Sequence, residues 1–594
     1  MSNHFKFIRD TEYVNLISEL REDFNRMNSQ DLNDPDFSTY QLYFQTGDRQ
    51  TYEQIYFNKR KYLTLLALLT LDSPNNQTYI RQLENIIFSI CQEFTWCLPA
   101  HINQEYEENA EVRSYTVDLF ACETAASLAE IISLLTDHLS DSLVKIVKAT
   151  INERVIVPFE EQDRYEWETS KTNWASVCAG SIGMVALYLI DDQAKRERII
   201  TRVKVILEDF LAGFSDDGAC LEGIHYWQYG FRYFTYFADL LYEKTEGRDH
   251  LFANKKIAKI AAFQQKIYLG KDKVANFSDS PAQVEPAYEL SYYYKGIFPD
   301  QIEIPPGQLK ADYILDHCGR WAPALRKLIW RGTEQSKENW NDGTYWLKHA
   351  QIYLQRDRLF QFATKGGHNN EPHNHNDLGH FILYYRDHPL LIDLGAGEYN
   401  REYFSDQRYQ FIQTSSLGHS VPVICGQQQL TGEKAVAEPL EQINESAPVI
   451  GFDLTRAYSV PTLKSYRRVF KVNVPESELT VIDQFDFSSC DQEIDETFIL
   501  ADLSFDEKEN ELLLFNEDIK MVVQFSNEIN DYQIRRFAYI DHFGQKQTAL
   551  KLLVKCHVKT KHFKFRIRFI CDDRGGKPND TYSKEPINNK TGPN

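Results

Sequence analysis

Apolar residues in the first half of the chain recur at helical spacing. Between Val117 and Ile132 the side chains of Phe120, Ala121, Ala125, Leu128, Ile131 and Ile132 fall on one stripe, the pattern of a helix laid on a core. The same period predicts helices over 60–71, 141–156, 174–190, 196–213, 230–244 and 254–268. Polar links such as Asp72-Ser73-Pro74-Asn75-Asn76 and Ser215-Asp216-Asp217-Gly218 join them with turn-forming residues. Residues 1–320 therefore read as one all-helical domain of paired helices, without a repeat clear enough to name a solenoid.

The pattern changes near Ile302-Glu303-Ile304-Pro305-Pro306-Gly307. From about residue 340 the apolar runs shorten to strand length: 351–354, 381–385, 390–393, 479–483, 512–515, 521–525, 552–555 and 565–569. Many short strands separated by turn residues predict a β-sandwich or stacked sheets over 321–571. Residues 572–594, rich in Lys, Asn, Gly and Pro, read as a loose tail. The expected class is α+β, helices first and sheets second.

Composition narrows the function classes. A net charge of −21 argues against a non-specific nucleic-acid binder, which needs a basic face, yet leaves room for small anions in a locally positive cleft. Aromatic content of 13% fits sugar-stacking surfaces as well as large cores. No run approaches the length of a membrane span. The first ten residues lack the apolar core of a secretory signal, so a cytoplasmic location is expected. The ten cysteines include no CxxC pair, which reads as free thiols in a reducing compartment.

Candidate chemistry concentrates in three places. His375, Asp393 and His419 lie 18 and 26 residues apart, beside a second histidine, His373. Imidazole and carboxylate donors at such spacings suit a zinc-type site assembled from several segments, and they equally suit a hydrogen-bonded cluster without metal. If extended, His373-Asn374-His375-Asn376-Asp377 places His373, His375 and Asp377 on one face. The second place is Glu222-Gly223-Ile224-His225-Tyr226-Trp227-Gln228-Tyr229-Gly230, either a sugar-contacting surface or an aromatic stripe on a core helix. The third is Asn173-Trp174, where Asn173 is either a helix cap or a polar group for substrate.

Together these segments resemble the heparinase II/III-type polysaccharide lyases. The resemblance runs from Asp118-Leu119-Phe120-Ala121-Cys122-Glu123-Thr124-Ala125 through Asn173-Trp174 and Glu222 to Gly230. It continues through His373 to Phe381, Leu391-Ile392-Asp393-Leu394-Gly395, Tyr399, Gly418-His419-Ser420 and Gly426-Gln427-Gln428-Gln429. It implies an N-terminal incomplete (α/α) toroid followed by a C-terminal antiparallel β-sandwich or stacked-sheet region. It also implies an acidic oligosaccharide or polysaccharide substrate cleaved by β-elimination. Tyr226 would be the catalytic tyrosine, His373 its partner and Asn173 the group near the uronate carboxylate. Trp174, Arg113, Tyr229, Trp227, His225 and Glu222 would contact substrate, and His375, Asp393 and His419 would hold a mainly structural zinc.

The chemistry accounts for these residue types. The proton on C5 of a uronic acid becomes acidic once its carboxylate is neutralised, a task for Asn173 and an arginine such as Arg113. A neutral His373 or a deprotonated Tyr226 can then take it, and a phenol can protonate the leaving oxygen. Two departures stand out: many relatives carry histidine where this chain has Trp174, and Tyr229 lies about one helical turn from Tyr226. Three other readings remain open. One is a zinc hydrolase with Glu371 as base, and another is an (α/α)-barrel glycoside hydrolase using Glu123, Asp217 or Glu222. The last is a non-catalytic glycan-binding relative.

Overall fold

A computed structural model of the chain describes residues 9–28, 32–102, 116–307, 317–332, 337–440, 449–508, 511–525 and 531–573. Arg113 and residues 574–594 of the expected tail lie outside the described residues. The chain packs as two units. The first comprises residues 1–220, 226–262 and 286–337, and the second comprises 221–225, 263–285 and 338–594.

The first unit is helical. Helix Leu119–Leu134 packs on Asn173–Leu189, which packs in turn on Gln193–Ala212. Helix Ile224–Lys244 approaches Asn173–Leu189 closely because glycines face it. A Cβ on Gly180 would stand 2.7 Å from the carbonyl oxygen of Tyr233, and one on Gly230 would stand 3.1 Å from Cα of Asn173. Ser176 Oγ donates to the carbonyl of Gly230 at 2.7 Å, which fixes the register of the two helices. Gln77–Cys91, a helix the periodicity missed, is capped by Asn76, whose Oδ1 accepts from Thr78 N at 3.0 Å and Tyr79 N at 3.3 Å. The stretch expected as one helix over 254–268 is two short ones, Lys256–Ala261 and Phe263–Ile267, and Ala262 is the last residue of its segment of the first unit.

The second unit contains two large antiparallel sheets among its described residues. One runs in spatial order Gly343–Leu347, Ile352–Arg356, Phe360–Lys365, Phe381–Tyr385, His388–Leu391, Gln492–Leu500, Lys546–Val558, Tyr532–Ile540. The other runs Ser504–Lys508, Glu511–Phe515, Ile519–Phe525, His562–Asp573, Glu478–Phe487, Leu463–Asn473, Val449–Asp453, Glu438–Pro439. Burial alternates along Ile519–Phe525, so one face of that strand meets the core and the other does not. Phe362 and Phe381 of the first sheet meet Phe470 of the second at 5.3 and 5.1 Å, and Phe498 meets Phe569 at 5.6 Å.

Inside this core Arg468 is fully buried. It pairs with Asp483 on the neighbouring strand, Nε to Oδ1 and Nη2 to Oδ2 both at 2.8 Å, and its Nη1 donates to the carbonyls of Ser420 at 2.5 Å and Gly379 at 3.2 Å. Ser420 follows His419 and Gly379 precedes His380, so one guanidinium ties the sandwich core to two site-bearing loops. Among the described residues no helix is long and apolar enough to cross a membrane. None of the ten cysteines forms a disulfide, and eight are buried.

Candidate active site and metal centre

In the helical unit Asn173 is the first residue of its helix and Thr172 is the cap, so Asn173 is not the N-cap. The Asn173 side chain is buried, and that of Trp174 is half-buried. Tyr226 is half-buried near the start of helix Ile224–Lys244. Tyr229, one turn later, donates its hydroxyl to Glu123, whose carboxylate also faces Arg320 Nε at 3.2 Å. The Arg320 guanidinium covers the Tyr229 ring at 4.2 Å. Burial, with Glu123 beside it, pushes the Tyr229 phenol well above its ordinary range. Trp227 is buried and donates Nε1–H to the carbonyl of Ile260 at 2.9 Å, so this indole belongs to the core of the helical unit and not to a sugar-facing surface.

In the second unit the segment around His373 is a turn, so the condition under which His373, His375 and Asp377 would share one strand face is not met. His373 takes a left-handed backbone, φ +58°, and the reversal replaces period-two alternation with convergence on one carboxylate. That carboxylate is Asp279, which carried no sequence signal. Its Oδ2 accepts from His373 Nδ1 at 3.0 Å, Arg408 Nη2 at 2.8 Å and Tyr399 OH at 3.2 Å. Its Oδ1 accepts from His375 Nε2 at 3.0 Å and Tyr403 OH at 2.6 Å. Burial works against the Asp279 charge, yet the hydrogen bonds from both histidines and the charge of Arg408 hold its carboxyl well below the usual range. With Nδ1–H committed to Asp279, His373 turns Nε2 toward Glu222 Oε1, 3.8 Å away. His225, in the same short segment as Glu222, is exposed.

His375, Asp377, Asp393 and His419 form a buried group in which one donor atom from each lies within 4.8 Å of the others. The hydrogen bonds around the group select those atoms. His375 spends Nε2–H on Asp279, and His419 donates Nε2–H to the carbonyl of Gln413 at 2.8 Å, so both rings turn Nδ1 inward with no hydrogen bond; burial opposes a charge on His419, yet the facing Asp393 carboxylate raises its pKa. Asp393 Oδ1 accepts from Gly395 N at 2.8 Å and Asp377 Oδ1 from Lys365 Nζ at 3.1 Å. Oδ2 of each carboxylate makes no hydrogen bond. Two imidazoles and two carboxylates gathered this way are stable only with a cation or protons among them. His419 Nδ1 stands 3.4 Å from Asp393 Oδ2. A tetrahedral site with bonds of about 2.0–2.1 Å has edges of about that length. That edge is of the right length, and the four residues are a donor set that could hold a small divalent cation.

His380 sits beside the group without belonging to it. Its Nδ1 accepts from Ser420 N at 2.9 Å, so the proton is on Nε2, which faces Asp393 Oδ2 at 3.3 Å. Burial pushes its pKa down to about 3, so the ring is neutral, and it faces Asp393 without a hydrogen bond. Glu371, considered as a hydrolytic base, is buried near Lys365, 3.7 Å from Nζ. Asp393 was expected within a strand over 390–393, but strand His388–Leu391 stops two residues earlier, and the loop that follows carries Asp393 into the group. Asp377 is the ligand candidate that spacing did not single out.

The fold is therefore a helical domain followed by stacked antiparallel sheets, with a buried His/Asp group in the sheet-bearing unit. Residues 341–569 match the family model described as Heparinase II/III-like, C-terminal. No curated protein matches the chain by sequence. Among solved structures the chain is similar to that of heparinase III, at 14% identity and a TM-score of 0.62 over 96% of this chain and 93% of that one. It is similar also to heparan sulfate lyase HepC from Pedobacter heparinus, at 12% identity and a TM-score of 0.58 over 95% and 88%. At these identities the likeness establishes the fold, an (α/α) toroid with a C-terminal β-sandwich, and the function rests on the site.

Proposed function

We propose that the protein is a polysaccharide lyase that cleaves a uronic-acid-containing glycan by β-elimination. The observation that carries the reading is the buried Asp279 carboxylate, which holds His373 Nδ1–H and so presents Nε2 as the nitrogen for proton transfer. In this reading Asn173 hydrogen-bonds the uronate carboxylate and lowers the pKa of C5–H. His373 Nε2 or the Tyr226 phenolate takes that proton. The C5–H electron pair becomes the C4=C5 double bond, the C4–O bond breaks, and the departing oxygen takes a proton from Tyr226. Tyr226 is the better candidate phenol because Tyr229 is committed to Glu123. The same commitment of Glu123 to Tyr229 and Arg320 speaks against its use as a glycosidase acid.

The cation that fits His375, Asp393, His419 and Asp377 is proposed to be a structural zinc. Elimination requires no activated water, and Asp279 links His375 to His373, so a filled site would stiffen the reactive histidine. Ten cysteines outside any disulfide favour a reducing compartment such as the cytoplasm, where imported oligosaccharides are the accessible substrates. Product mass tests the reaction type. Elimination leaves the two fragments summing to the mass of the starting glycan, whereas fragments heavier by one water would establish hydrolysis and overturn the proposal.

A further inference from the structure

The helical unit holds a histidine–aspartate pair that the proposed chemistry does not use. His101 ends the short turn Pro99–His101, and its Nδ1 lies 2.7 Å from Asp118 Oδ2. Asp118 is buried and caps helix Leu119–Leu134, with Oδ1 accepting from Ala121 N at 2.7 Å. Its Oδ2 also accepts from Leu98 N at 3.4 Å, so the carboxylate is fixed from two segments. A carboxylate held this way keeps the imidazole proton on Nδ1 and the lone pair on Nε2. Among the described residues Nε2 makes no hydrogen bond, and the His101 side chain retains 13% exposure. The ring stacks on Phe120 at 5.7 Å and 17°, and meets the Trp174 indole at 4.9 Å and 60°.

A histidine that serves only a core satisfies both nitrogens inside it. Here one nitrogen is anchored by a dedicated buried carboxylate, and the other is left beside a half-buried indole that follows Asn173 directly. An aromatic face with a directional polar group at its edge is what a pyranose, apolar on its faces and hydroxylated on its rim, requires. We propose that Trp174 and His101 form a sugar subsite of the helical unit. The indole stacks on a pyranose ring, His101 Nε2 accepts a hydrogen bond from a hydroxyl of that ring, and Asp118 is the positioning residue. The identity of the sugar rests on the lyase reading; the subsite geometry does not.

The test uses the full-length protein and a tetrasaccharide of alternating uronic acid and hexosamine, with binding followed by tryptophan fluorescence and turnover by formation of unsaturated ends. Loss of one neutral hydrogen bond predicts that His101→Ala raises both Kd and KM about three- to tenfold while kcat stays within about twofold. His101→Gln keeps an acceptor and recovers most of that loss, which separates contact from folding if the alanine variant is unstable. Trp174→Phe abolishes the fluorescence change. Unaltered Kd and KM in both His101 variants of an active enzyme overturn the subsite. Binding that depends on His101 without any unsaturated product supports the subsite and overturns the lyase reading. Absence of binding by every form overturns both.

Discussion

His373 Nδ1 lies 3.0 Å from Asp279 Oδ2, and the other oxygen of that carboxylate holds His375 at the same distance. One buried side chain thus orients the proposed reactive histidine and a proposed metal ligand together. Asp279→Asn keeps the shape but replaces one acceptor oxygen with a donor, so His373 loses the partner that fixes its tautomer. A comparable change in the orienting carboxylate of an acid–base histidine, in the serine protease triad, costs up to about 10⁴ in kcat. Steady-state kinetics should show a kcat loss in that range with a much smaller change in KM; equal losses in the two would place Asp279 in substrate binding instead.

The two phenols one turn apart should separate cleanly. Tyr226→Phe is expected to abolish turnover. Tyr229→Phe should retain the shape of the pH–rate profile, since burial and Glu123 keep the Tyr229 phenol protonated well above the ordinary tyrosine range. Its effect should appear in stability, by about 1–3 kcal/mol, because Glu123 loses a buried donor. A pH–rate limb that vanishes in Tyr229→Phe and survives in Tyr226→Phe would reverse the assignment.

Elemental analysis of purified protein should find about one equivalent of zinc, and His419→Ala or Asp393→Ala should lose it. Since the donors converge only in the folded chain, binding favours the native state. Chelation should therefore lower Tm, and adding back zinc should restore it. A chelated protein with unchanged Tm would mean that the inward atoms of His375, Asp393 and His419 are satisfied by protons.

Much of this site could not be read from the chain. The helical period and the shift to short apolar runs were legible because burial of one face repeats locally, as in Leu119–Leu134 and Ile519–Phe525. His375, Asp393 and His419 were legible as residue types with metal chemistry. Asp279 was not, since its role comes from five donors that reach it from residues 94 to 129 positions later, and no local pattern encodes such convergence. The turn at His373 was missed because a positive φ at histidine has no periodic signature. Trp227 was misread because an indole on a core helix and one on a sugar surface look alike until its N–H is seen donated to Ile260.

Packing offers a further check. Arg468→Met removes the partner of Asp483 and releases the carbonyls of Ser420 and Gly379. Breaking a buried ion pair from one side costs about 3–5 kcal/mol. Denaturant unfolding should show that loss, together with weaker zinc retention because both anchored loops border the cluster. Stability at the wild-type level would show that Arg468 does not anchor them.

Ultraviolet absorbance reads the proposed elimination. A 4,5-unsaturated uronate end absorbs where the saturated sugar does not, so a progress curve on heparin, heparan, chondroitin, hyaluronan and alginate oligosaccharides reports both the reaction and the substrate. A rise is expected with at least one of them, and it should disappear in Tyr226→Phe and in His373→Ala. New reducing ends formed without that absorbance, or a rise undiminished in both variants, would contradict it.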